Sequence, residues 1–317
     1  MDDIPKFLHD ILKVATLILQ QKNAHFEENC QMNKIDNKKQ KTEPAKVSGQ
    51  GVLLTPGAVR VGPGAVRVGR CTYDNKTGKR TDPACTGFTS VLVMMKSHSE
   101  WGVIGPYCLK DSKGRIFENI WQFSKCYEKV PKSRQEYSRY DHTVIWDHPA
   151  ETHINFDGSL TPEYFAWRKK GMESKYPIRY PVGFGNQHKC LYALAEKTET
   201  EFAPHFVNPY ECLDYIPARK HIYLKEYVRL VREHPKFLQL KDRLANGENL
   251  LIIEVDGPRQ ESLDYYVKTY GVPQNFIEQG STAATKDNLN VFLNDPKHPF
   301  GHGFCLGAAL LDIELTF

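Results

Sequence analysis

The sequence predicts a mostly helical α+β domain with a large insertion and an N-terminal extension made of a helix and a linker. Three observations carry that prediction. The stretch from Phe117 reads as a mostly apolar helix that carries one acid, one amide and one amine in a row and that Pro131 ends. Segments at Thr161, Pro217 and Phe237 carry helix start or stop signals. Leu250–Val255 is a nearly unbroken apolar run of strand length. At 317 residues the chain can bury a large core, as one big domain or two ordinary ones.

Composition narrows the function. A formal charge of +4, much of it in one early segment, argues against a nucleic-acid binder built on a wide basic face. The eight cysteines stand singly, without the C-x-x-C spacing of zinc sites or the density of a secreted disulfide scaffold. Reduced thiols in a cytosol-like compartment are the simplest account. No stretch approaches a membrane span, and Met1-Asp2-Asp3 lacks the basic start of a signal peptide, so a cytoplasmic, non-membrane protein is expected.

Taken in order, Ile4, Phe7, Leu8, Ile11, Leu12, Ala15 and Ile18 recur at helical spacing, with Pro5 in the first turn. This amphipathic helix is expected to dock on the body of the protein or on a protein partner. Residues 22–50 lose that period and collect Asn, Gln, Lys and Glu, as a flexible linker does; residues 1–50 are therefore one unit. Residues 51–86 carry Pro-Gly-Ala-Val-Arg-Val-Gly twice, at 56–62 and 63–69, which predicts two short strands or an extended arm. The main domain is predicted over 87–317. It begins with the apolar strand Ser90–Met95 and a loop from Trp101 to Lys113, broken at Gly105-Pro106. Thr161-Pro162 starts a helix that Gly171 closes, Pro217 opens another, and Asn246-Gly247 ends a third.

The chemistry-bearing stretch is Glu118-Asn119-Ile120-Trp121-Gln122-Phe123-Ser124-Lys125. A helix turns about 100° per residue, which puts Glu118, Gln122 and Lys125 on one stripe of a cylinder otherwise largely apolar. A helix of this kind wants burial, and a buried charge must be paired or face a cleft. The stripe is thus an internal ion pair, the commoner arrangement, or a carboxylic acid and an amine nucleophile lining a pocket. Trp146–His153 holds His148, Glu151 and His153, but Pro149 interrupts it and the spacing matches no helical zinc pair. His188 is a further polar candidate, more often structural in such a setting. Glu254 and Asp256 end the apolar strand, where acids commonly meet ligands. Gly301-His302-Gly303 enters the apolar helix that runs to Leu311, and free N–H groups at such an entrance bind anions. The spacing is not that of a dinucleotide fingerprint.

Three pieces in this order resemble the NADAR family, N-glycosidases acting on ribosylated or ADP-ribosylated bases. Ile104-Gly105-Pro106-Tyr107-Cys108-Leu109-Lys110-Asp111, followed by Gly114 and Glu118-x-x-x-Gln122-x-x-Lys125, is similar to that family's opening. Ala218-Arg219, Lys236–Leu244 and Leu251-Ile252-Ile253-Glu254 resemble its middle, and Gly303-x-x-Leu306-Gly307-x-x-Leu310 its closing helix. Residues 129–216 stand as a large insertion, and 1–85 have no counterpart. The resemblance implies an N-glycosidase using no metal and no cofactor on a nucleotide-like or ADP-ribosyl small molecule. It implies Lys125 as nucleophile at the anomeric carbon, forming a Schiff-base-type intermediate, and Glu118 as general acid or base. Gln122 would hold ribose hydroxyls, with Trp121 a further substrate contact. Glu254 or Asp256 would orient the base, and Gly301 and Gly303 the phosphates. The rival expectations are a non-catalytic binding or assembly subunit and a metal-dependent hydrolase using His148, Glu151 and His153.

Overall fold

The computed structural model describes residues 63–74, 76–94, 99–138, 141–196 and 210–315. The helix expected at 4–20, the linker at 22–50 and the first repeat copy lie outside them. The chain is α+β. Strands β1 (Val66–Arg70), β2 (Thr72–Tyr73), β3 (Arg80–Thr81) and β4 (Thr89–Leu92) come first, then a 3₁₀ turn at Glu100–Ile104 and helix α1 (Phe117–Ser124). Next come β5 (Lys125–Tyr127), β6 (Lys129–Val130), β7 (Glu151–Thr152), α2 (Pro162–Met172), the short α3 (Phe184–Gln187), β8 (Cys190–Glu196) and β9 (Tyr210–Leu213). A composite helix runs through α4 (Tyr215–Ala218), a π-helical segment (Arg219–Leu224) and α5 (Lys225–Val231). It is followed by α6 (Pro235–Ala245), β10 (Leu250–Glu254), α7 (Leu263–Tyr270), β11 (Ser281–Ala283), α8 (Lys286–Asn294) and α9 (His302–Leu310). Among the described residues no helix is long and apolar enough to cross a membrane.

The main sheet has the order β11-β1-β10-β4, with β10 parallel to both neighbours and β11 antiparallel at the edge. All five residues of β10 are buried, because a parallel strand covered on both faces must be apolar throughout. Helix α9, apolar on every side and wholly buried, lies across β1 and β10. A Cβ on Gly307 would stand 3.3 Å from Ala284 and 3.4 Å from Val68, so glycine lets this helix close on the sheet. Buried Arg219 donates to the main-chain oxygens of Phe292, Leu293, Asp295 and His298, and so supplies donors that the end of α8 lacks.

Three expectations need correction. Of the two expectations for the repeat, the second copy keeps the strand and not the arm: β1 is an inner strand, Val66 and Val68 facing the core and Arg67 reaching Ser281 Oγ at 2.9 Å. The domain therefore starts before residue 87. The helix expected to run on to Pro131 ends at Ser124, and Lys125 is already extended, at φ −77° and ψ 146°. Ser124 Oγ turns back onto the Trp121 carbonyl, while Lys125–Tyr127 pairs antiparallel with β8. Gly171 does not stop α2; a Cβ there would stand 2.1 Å from the Phe123 ring, so glycine lets α2 pack on α1. Elsewhere the boundaries agree: Thr161 caps α2 through Tyr164 N, and Asn246-Gly247 ends α6, Gly247 with φ 84°. The composite helix starts at Tyr215, putting Pro217 in its first turn, where proline is tolerated.

Candidate active site

The apolar wrapping of α1 buries its polar stripe, and the stripe satisfies itself as a relay. Lys125 Nζ donates to Gln122 Oε1 at 3.1 Å, and Gln122 Nε2 donates to Glu118 Oε1 at 2.5 Å. Gln122 thus stands between acid and amine, in place of the direct ion pair weighed above. Helix geometry still sets Glu118 and Gln122 one turn apart, and β5 then carries the Lys125 side chain back over the helix end. Its ammonium nitrogen lies 4.5 Å from the centre of the Trp121 ring. Trp121 meets Tyr223 edge-on at 5.2 Å.

Glu118 does have a cation, and it comes from the insertion. Arg179 Nη1 lies 3.5 Å from Glu118 Oε1, and Arg179 Nη2 donates to Gln187 Oε1 at 3.1 Å. The Arg179 charge also acts on the Tyr107 phenol. Buried Asn119 fixes this arrangement: its amide donates to the Tyr176 oxygen and its Oδ1 accepts from Ile178 N at 2.8 Å, which anchors the backbone just before Arg179. Asp256 faces the same group, its charge acting on Tyr107, Lys125 and Arg179. The site thus brings together Glu118, Gln122, Lys125 and Trp121, and Asp256 reaches it through its charge alone. Arg179 and Tyr107 join them although sequence reasoning had passed over both as site residues. The signal available for Arg179 was indirect: an acid on an apolar helix requires a cation, but nothing local says which.

Burial lowers the Lys125 amine to about 8, and Arg179 adds to the depression while Cys190, Glu118 and Asp256 oppose it. A larger share of this amine is therefore neutral near pH 7 than of an ordinary lysine. Burial dominates because Trp121, Gln122 and the β5–β8 pairing surround the side chain. The Tyr107 phenol is pushed up by burial and by Glu118, and remains a hydrogen-bonding group throughout the physiological range.

Glu254, Gly301 and Gly303 form a separate, closed arrangement. Glu254 is fully buried, and its Oε1 accepts from Gly303 N at 2.8 Å at the entrance of α9. A Cβ on Gly301 would stand 2.1 Å from Glu254 Oε2, and one on Gly303 2.6 Å from Oε1. The glycines make room for a carboxyl of this chain, and the anion position at the helix start is taken. The expected base contact of Glu254 and phosphate contacts of Gly301 and Gly303 are corrected accordingly. His302 Nε2–H donates to the Val93 oxygen at 2.5 Å, leaving Nδ1 as an acceptor 3.1 Å from Glu254 Oε2. Burial, then Asp256, raises Glu254 well above the carboxylate range, and burial lowers His302; Glu254 Oε2 has no hydrogen-bond partner among the described residues.

The histidine motif is likewise committed. His148 Nε2 accepts from Val182 N at 3.1 Å, with Nδ1 on the Pro149 oxygen; His153 Nδ1 accepts from Tyr127 N at 3.1 Å, with Nε2 on the Tyr180 hydroxyl. The lone pair that a metal would need is engaged by a backbone N–H in each ring, which corrects the metal-hydrolase alternative. Burial holds His153 down at about 4. His188 is exposed.

Beside the Glu118 group lies a cavity of about 670 Å³ whose wall includes Arg179, Gln187, Trp146 and Arg134. No protein-family model, curated protein or solved structure matches the chain.

Proposed function

We propose that the chain is an N-glycosidase cleaving the bond between ribose and a base in a ribosylated or ADP-ribosylated compound, as the NADAR-like motifs imply. The observation that carries this reading is the Lys125 amine, lowered to about 8 and aligned through Gln122 with Glu118. About one-tenth of such an amine is neutral at pH 7, against a far smaller share for an ordinary lysine. Lys125 Nζ attacks the anomeric carbon, the C–N bond to the base breaks, and Glu118 supplies a proton to the departing nitrogen. As the sugar ring opens, one proton of the attached nitrogen passes to the ring oxygen, leaving a protonated imine between Lys125 and the anomeric carbon. Water then adds, Glu118 accepts its proton, and hydrolysis frees the sugar and regenerates the amine. Gln122 holds ribose hydroxyls, Asp256 orients the base, and Arg179 carries negative charge near the leaving group.

Borohydride reduction during turnover tests the step. The wild-type chain gains the mass of a reduced sugar adduct on Lys125, and Lys125→Ala gains none. Absence of any adduct and of base release with both ribosyl and ADP-ribosyl substrates removes the reading. One observation favours a second: Arg179, brought by the insertion, sits directly on Glu118, as in a descendant that keeps the pocket for binding alone. Tight ligand binding without base release distinguishes that case.

A further inference from the structure

We infer that the insertion builds a phosphate-reading subsite: the cavity beside Glu118 takes the phosphorylated nucleotide end of an ADP-ribosyl ligand, with Lys132 and Arg134 on its phosphates and Trp146 against its base. The inference rests on the reading above only for where the ribose goes. Every residue lining the cavity lies between 131 and 187, so the insertion makes the chamber by itself. Its volume of about 670 Å³ falls in the range of sites that hold nucleotide-sized ligands.

Charge identifies the occupant. Three cations, Lys132, Arg134 and Arg179, line the cavity, and no lining residue is acidic. Asp147 stands behind Ser133 and accepts from its hydroxyl. Cations elsewhere on the fold are matched: Arg115 with Asp111, Arg243 with Glu248, Lys236 with Glu100. Among the described residues neither Lys132 nor Arg134 has a carboxylate partner. Two unmatched cations beside a half-buried indole fit a phosphate joined to an aromatic ring, since the guanidinium and ammonium pair with phosphate oxygens and the indole offers a stacking face. An unphosphorylated ribosyl compound offers Lys132 and Arg134 no anion to pair with.

Geometry connects the chamber to the chemistry. Arg179 belongs to both, its Nη2 held by Gln187 on the cavity wall and its Nη1 beside Glu118. A ligand with phosphates in the cavity therefore presents its far ribose toward the Glu118–Lys125 relay. The subsite would make the protein select ADP-ribosyl over plain ribosyl substrates.

Calorimetric titration of the full chain carrying Lys125→Ala, which prevents turnover, uses ADP-ribose, AMP and ribose as probes. ADP-ribose and AMP bind and weaken as salt rises, ribose does not bind measurably, and Lys132→Ala/Arg134→Ala weakens both nucleotides by at least about ten-fold. Both side chains are exposed, so the double variant keeps the fold, which circular dichroism checks. Unchanged AMP affinity in the double variant, or no AMP binding, overturns the subsite. The two readings fail separately. Loss of AMP binding in the double variant without any borohydride adduct in the wild type leaves the subsite standing and removes the glycosidase. An adduct formed equally well from ribosyl and ADP-ribosyl substrates, and insensitive to the double variant, does the reverse.

Discussion

At Lys125 one physical cause, burial of an amine among an indole and an amide, sets both reactivity and a cost in stability. The folded-state value of about 8 lies below the unfolded 10.5, so between those limits the unfolded chain binds more protons. Stability contributed by this group therefore rises with pH from about 8 to 10.5. Lys125→Met should be more stable than wild type at pH 7, with the difference shrinking by pH 10, as urea midpoints measured at both values would show. Catalysis follows the same titration: base release should climb through an acid limb near pH 8. Arg179→Met removes a charge that depresses the amine, so the limb should move to higher pH, and a limb that stays in place would remove Arg179 from the site. The sequence made the Glu118–Gln122–Lys125 stripe legible because helical period needs only local spacing. It could not show that Lys125 leaves the helix, because that depends on pairing with Ala193, far along the chain.

At the scale of elements, glycine and acid positions were the least legible. Gly301 and Gly303 present an empty space whose filler, Glu254, arrives from a strand 49 residues earlier than the Gly303 it bonds. A glycine-rich helix entrance looks the same in sequence whether the anion is a substrate phosphate or a side chain of the protein. Burial favours the neutral carboxyl of Glu254, and Glu254→Gln is neutral too and can still accept from Gly303 N. Its stability should stay near wild type, while Glu254→Ala opens a polar cavity and loses about 2–5 kcal/mol in denaturant unfolding. Equal losses in both variants would mean that the carboxyl is charged. Asn119 works between elements, tying α1 to the strand-like segment at 176–178. Asn119→Leu leaves Ile178 N–H without its acceptor, costing about 1–3 kcal/mol, and should lower base release by displacing Arg179.

For the whole molecule, the consequence of the sheet order is that the repeat belongs to the core. β1 lies between β10 and β11, its Val66 and Val68 against α9, so the hydrophobic face of the sheet is complete only with residues that composition alone assigns to an arm. The α+β class was legible because β10 is continuously apolar and the helices carry caps; the place of β1 was not, since an alternating Val-Arg-Val strand reads the same at an edge or inside a sheet. Parallel pairing of β1 with β10 is also a contact that no local turn announces. A chain cut to 87–317 would lose β1, leaving β10 paired on the β4 side only, β11 without its strand partner and part of the underside of α9 uncovered. It should fail to unfold cooperatively and should bind a hydrophobic dye, whereas a chain beginning at residue 63 keeps the sheet and should melt in one transition. Cooperative melting of the 87–317 fragment would mean that the three remaining strands close the core without β1, and that the candidate site stands on a smaller body than the sheet order requires.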